Sequence, residues 1–165
     1  MWKANHRVLI FISGLLWLII GIFLLSFGIY LVMETLRGIS EESRFSLVKQ
    51  FSRIFGGQDN GVAILLGLAL FIGYLKGRYV LSRSAKRQIK RILSFPPPVH
   101  IKYIYGLGYY LLIALMIGIG ISFRFFPFAQ DIRGTVDIAI GSALLSGALT
   151  YFRFALSKES RMEKI

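Results

Sequence analysis

Four charged side chains, Arg124, Asp131, Arg133 and Asp137, are grouped within fourteen residues beside long apolar stretches. Charge next to a membrane-length apolar run is costly, so such a group points by default to a functional site. Two readings follow from the spacing. Arg133 and Asp137 stand four apart, as an ion pair on one helix would. Alternatively, Arg124, Arg133 and Asp137 line a vestibule that selects an ion or small anionic solute, which then passes along a hydroxyl row of Ser142, Ser146 and Thr150 at helical spacing.

Other chemistry is excluded more sharply. The chain has no cysteine, which removes disulfides, iron–sulfur clusters and thiolate metal sites. Its two histidines, His6 and His100, belong to no HExxH pattern and form no haem-ligand pair. No Gly-Lys-Ser/Thr loop occurs, and the Gly106-Leu107-Gly108 run opens no nucleotide-binding unit. The expectation is a protein that is not an enzyme and carries no metal and no cofactor.

The elements that must position the charged group are dictated by hydropathy. Of 165 residues 55% are hydrophobic, and the mean hydropathy of +0.64 exceeds that of water-soluble domains. Val8 to Met33 carries no charge over 26 residues, about 39 Å of helix, ample for a hydrocarbon core of about 30 Å. It follows Lys3 and Arg7 and is too long for a cleaved signal, so it reads as a signal anchor. Gly61 to Leu75 is short and reaches spanning length only by continuing to Leu81 with Lys76 and Arg78 snorkelling to the headgroups; a re-entrant hairpin is the alternative. Ile104 to Phe123 and Val136 to Phe152 complete the set.

The expected fold is therefore an all-α integral membrane protein of a single domain, with four transmembrane helices arranged as two hairpins. Its segments are spans at 8–33, 61–81, 104–123 and 136–152, a loop at 34–60, a basic segment at 82–102, a short loop at 124–135 and a tail at 153–165. Basic residues orient it, because Lys and Arg are retained on the cytoplasmic side. The N-terminus, the segment after span two and the C-terminus hold 14 of the 20, and the two remaining loops hold 6, so both termini are expected inside. The expected location is the bacterial cytoplasmic (inner) membrane.

Within this frame the second and fourth spans resemble each other. Gly67, Ala69 and Gly73 match Gly141, Ala143 and Gly147, and the run from Arg78 to Ser84 matches that from Arg153 to Ser160 with two single-residue insertions. A parallel duplication of a two-helix unit and convergence of Gly/Ala-rich helices both account for it. Small residues four apart let helix backbones approach in lipid. Candidate packing residues are accordingly Gly67, Ala69, Gly73, Gly77, Ala139, Ala143 and Gly147, while Gly14, Gly21 and Gly28 repeat every seven residues, as a left-handed helix pair requires. These seams serve packing within the chain, a homo-oligomer or another membrane protein.

The net charge of +12 concentrates after span two. Leu81, Ala85, Ile89 and Leu93 recur every four residues while Arg83, Lys86, Arg87, Lys90 and Arg91 take other positions, a basic amphipathic helix stopped by Pro96, Pro97 and Pro98. Together with Lys76 and Arg78 these cations are the candidate lipid-binding residues, with membrane lipids, preferentially anionic, as the partner. Nucleic acid is disfavoured, since no nucleic-acid motif accompanies the charge. In the loop at 34–60, Ser40 with Glu41 and Glu42 reads as a helix start, the helix lying flat on the outer surface and ending at Gly56 and Gly57. Tyr103, Tyr105, Tyr109, Tyr110 and Tyr151 are expected in an interfacial aromatic belt.

Two functional classes compete: a structural or accessory subunit that packs with other membrane helices and binds anionic lipid, and an oligomeric channel or small-solute transporter. The first needs only seams and a basic face. The second needs the Ser142, Ser146 and Thr150 row to face water.

Overall fold

The computed structural model describes residues 3–4, 6–37, 46–94, 99–100, 114, 118, 122 and 129–157. Apart from Ala114, Gly118 and Ser122, the third expected span lies outside these residues, as do Arg124, Ser40, Glu41, Glu42, the Pro96–Pro98 stop and four of the five belt tyrosines. Among the described residues the architecture is helical apart from one two-residue strand pair, and three helices are long and apolar enough to cross a membrane: His6–Leu36, Gln58–Leu93 and Gln130–Leu156.

Helix α1 is His6–Leu36, apolar on all sides, as a lipid-facing helix must be. Much of its surface remains outside the protein core, Phe23 being 66% exposed. A short helix α2, Leu47–Ile54, leads into α3, Gln58–Lys76, which passes through a π-helical turn, Gly77–Leu81, into α4, Ser82–Leu93. Helix α5, Gln130–Leu156, closes the described fold. A two-residue antiparallel pair joins Lys3–Ala4 to Val99–His100, so the chain's start lies beside the segment that follows α4.

Helix α5 is central. Its Gly134 and Gly141 meet Gly28 and Gly21 of α1, and Gly14 abuts Tyr151 and Phe152, so α1 and α5 run antiparallel with a seven-residue repeat on both sides. The glycine heptad of α1 thus finds the partner its period implies. On the other flank Gly73 of α3 and Gly77 of the π-helical turn seat against Ala139, Ser142, Ala143 and Ser146, a parallel arrangement. The close approach is possible because glycine offers no Cβ: one added at Gly77 would sit 2.5 Å from the Ala143 carbonyl oxygen.

Two apolar clusters mark the two ends. Leu9, Ile10, Trp17, Ala85, Ile89, Ile92, Ala148 and Tyr151 form one, which draws together the start of α1, α4 and the end of α5. Val32, Val48, Val62, Leu65, Ala69 and Ile138 form the other, beneath α2. Described acids, Glu34, Asp59, Asp131 and Asp137, all lie toward this second, loop end. The first end carries only cations among the described residues, and is called the basic end below.

Several local expectations change. Helix α2 starts at Leu47, capped by Ser46, whose hydroxyl accepts the Lys49 N–H at 3.2 Å; Ser46 itself is extended, so no helix runs through it from Ser40. The predicted stop holds: Gly56 has φ +71°, and the Gly57 N–H donates to the Ser52 carbonyl at 3.1 Å, the closing bond of a Schellman cap. Rather than turning its whole apolar side to a membrane surface, α2 buries Val48 and packs Leu47 and Phe51 on the bundle, leaving Ile54 and Phe55 outside. Tyr151 leaves the expected belt for the core, fully buried with its ring 5.7 Å from that of Trp17, because the tight Gly14 contact draws that face of α5 onto α1.

Candidate functional site

At the loop end, Asp131 stands in the first turn of α5 and is fully buried. Its Oδ2 accepts from the Ser46 hydroxyl and from the Val48 N–H, both at 2.8 Å, and its Oδ1 accepts from the Ile132 N–H at 2.8 Å. One carboxylate therefore serves the N-termini of two helices, α2 and α5, where exposed N–H groups and the dipole favour negative charge. The arrangement is a latch that holds the loop helix on the bundle. Sequence reasoning noted Asp131 only as one of a charged group; its partner, Ser46, lies 85 positions away and nothing in the local pattern pairs them.

Of the vestibule residues, Arg133 and Asp137 are described, one turn apart on α5. The Arg133 guanidinium lies over the Phe27 ring of α1 at 5.5 Å, a cation–π contact that turns it toward α1. Asp137 is half-buried one turn further on, and Arg124 lies outside the described residues. The hydroxyl row points to the opposite flank. Ser142 donates to the Leu70 carbonyl of α3 at 2.9 Å, Ser146 to the Ser142 carbonyl at 3.1 Å, and Thr150 shares a 3.0 Å hydrogen bond with Ser82. Ser142 and Ser146 thus sit in a helix–helix seam against Gly73 and Gly77, and Ser146 and Thr150 also border an open groove at the basic end.

This geometry makes an accessibility prediction. In an otherwise wild-type chain, Ser142→Cys should resist a membrane-impermeant maleimide applied from either side of sealed vesicles. Labelling from both sides would mean that water, not α3, faces the row.

Of the predicted packing residues, Gly73, Gly77, Ala139 and Ala143 meet in the α3–α5 seam, and Ala69 is buried in the cluster at the loop end. Gly147 belongs to a different contact, against Trp17 of α1 and Leu81. Gly67 meets nothing within 4 Å and takes no part in a seam among the described helices.

No family model, no curated protein and no solved structure matches the chain. The functional reading therefore rests on the geometry.

The basic end offers the remaining site. Helix α4 turns Ala85, Ile89 and Ile92 onto α1 and α5, so its apolar stripe is covered by the chain's own helices, while Arg83, Lys86, Arg87, Lys90 and Arg91 are exposed. Lys76 and Arg78 are exposed where the charge-free part of α3 ends. Between the α3–α4 helix and α5 lies an open groove of about 510 Å³, with Tyr74, Arg78, Ser82 and Lys86 on one wall and Thr150 and Arg153 on the other. Arg153 was not among the expected lipid-binding residues. The signal that could have found it is the repeat, in which Arg153 is the counterpart of Arg78.

Proposed function

We propose that the chain is a four-span membrane protein of the bacterial cytoplasmic membrane, with both termini inside. In this reading it acts without catalysis as a structural or accessory subunit that packs with other membrane helices and binds anionic lipid at its basic end. The parallel run of α3 and α5 supports the fourth crossing. Ser94 ends α4 at the basic end and Ala129 precedes α5 at the loop end, with residues 95–128 between them in the sequence. They include the 20 charge-free residues Ile104 to Phe123, about 30 Å if helical. The orientation is supported by the gathering of the chain's start, α4 and the end of α5 at the end rich in cations, the end that the cytoplasmic leaflet attracts.

The observation that carries the accessory reading over the transport reading is the hydroxyl row. Ser142 is buried on the Leu70 carbonyl, which closes the row at mid-bundle, while Ser146 and Thr150 border the groove at the basic end; among the described residues this favours packing over passage. What is left at mid-bundle is outward-facing apolar surface, including Phe23, Leu68, Phe71 and Ile72, suited to lipid or to a neighbouring helix. Purification in mild detergent, followed by measurement of particle mass and composition, tests this reading. An accessory subunit is expected to bring a second membrane protein in fixed stoichiometry; a symmetric homo-oligomer with solute flux in vesicles would replace it by the transport reading.

A further inference from the structure

The groove at the basic end has the composition of an anion site. Arg78 and Lys86 approach from one wall and Arg153 from the other, Ser82, Ser146, Thr150 and Ser157 add hydroxyls, and none of the lining residues is acidic. Its floor and rim, Ile89, Leu149 and Phe154, are apolar, and Leu149 and Tyr74 continue the open apolar surface toward mid-bundle. A free inorganic anion would have no use for that surface, whereas a phospholipid has both parts. The depth is also right, because Arg78 and Arg153 each stand where a charge-free span gives way to charge, the level at which phosphates lie.

Two further observations bear on the same place. Arg78 and Ser82 are the repeat counterparts of Arg153 and Ser157, so the groove is made where the two copies of an Arg-aromatic-x-Leu-Ser run face each other. The π-helical turn Gly77–Leu81 lies in its wall. Residues four apart drift by about 40° around an α-helix, and a π-turn winds extra residue into the turn and reverses that drift. Tyr74, Arg78, Ser82 and Lys86 consequently stay in line along the groove instead of spiralling away from it. Arg78 is held by a hydrogen bond from its Nη1 to the Tyr74 hydroxyl at 3.1 Å.

We propose that this groove is a discrete binding site for the phosphate of one anionic phospholipid, held by Arg78, Lys86 and Arg153, with the acyl chains descending along Leu149 and Tyr74. The inference rests on the reading above that the basic end lies at the leaflet surface, and it distinguishes one bound lipid from a general attraction between cations and the leaflet.

The test is native mass spectrometry of the full chain released from nanodiscs of mixed phosphatidylglycerol and phosphatidylcholine, with the particle mass read from the same spectra. Wild type is expected to retain one phosphatidylglycerol per chain, Arg153→Gln and Lys86→Gln to lose it by about tenfold or more, as loss of a charge-assisted hydrogen bond implies, and Arg53→Gln, exposed at the loop end, to keep it. Thermal unfolding of each variant identifies any that fails to fold, in which case the other groove variant decides. Equal retention by the Arg53→Gln and groove variants would overturn the discrete site. Displacement of the lipid by millimolar inorganic phosphate would overturn the lipid as ligand in favour of the free anion. Either result leaves the co-purification of a partner protein, and hence the accessory reading, to stand or fall separately.

Discussion

Substitution of Gly73 by alanine is expected to destabilise the protein by about 2–3 kcal/mol, although the same change in an open helix position stabilises by about 0.4–1 kcal/mol. Alanine is the better helix former, and it narrows the unfolded ensemble. At Gly73, however, the added methyl would collide with the Ala139 carbonyl group and with Ser142 Cβ, and backbone cannot rotate away as a side chain can. Relief requires α3 and α5 to separate, which also stretches the 2.9 Å hydrogen bond from Ser142 to the Leu70 carbonyl. Gly67 supplies the control on the same helix. It has nothing within 4 Å, so Gly67→Ala should be neutral or stabilising by up to about 1 kcal/mol. Unfolding of both variants in mixed micelles checks the pair. Equal effects of the two would mean that the α3–α5 seam does not depend on close backbone contact.

The second large effect is expected at Asp131. Alanine there removes the acceptor for two hydrogen bonds that join α5 to α2, from Ser46 and Val48, and leaves both donors buried. Hydrogen bonds to a charged group contribute about 1.5–3 kcal/mol each, so Asp131→Ala should cost about 3 kcal/mol or more. The damage should be local before it is global: amides of residues 47–54 should exchange faster, and the loop should become sensitive to protease, while α1 and the α3–α5 seam keep their protection. Asparagine keeps an acceptor oxygen but loses the charge that complements two helix N-termini, a loss of about 1 kcal/mol. An Asp131→Ala protein with unchanged exchange in α2 would show that the apolar contacts of Val48 and Phe51 hold the helix unaided.

The latch also bears on why the loop helix starts where it does. Ser40 with two following acids is the stronger local start signal, and Ser46 carries no such flank. Ser40 lies outside the described residues, and helix α2 begins after Ser46, whose hydroxyl caps Lys49 and donates to Asp131 at once. That contact spans 85 positions, and no window of neighbouring residues contains it.

What the sequence alone determined is the solvent and the periodicities. Apolar runs mark α1, α3 with its continuation, and α5 as membrane-length helices, the cation count separates the two ends, Gly56 and Gly57 end α2, and the seven-residue glycine repeat of α1 announces one close partner. Tertiary structure alone decided which way each helix turns: that the Ser142 row faces α3, that Tyr151 is core and not belt, that Gly73 is in a seam and Gly67 is not, and that Arg153 faces Arg78 across a groove. The reason is physical. A soluble helix declares its inner face by an apolar stripe, but lipid tails are as apolar as a protein interior. A helix that is apolar all round therefore carries no contrast between the side that meets lipid and the side that meets its neighbour, and only the fit of small residues against a particular backbone selects between them.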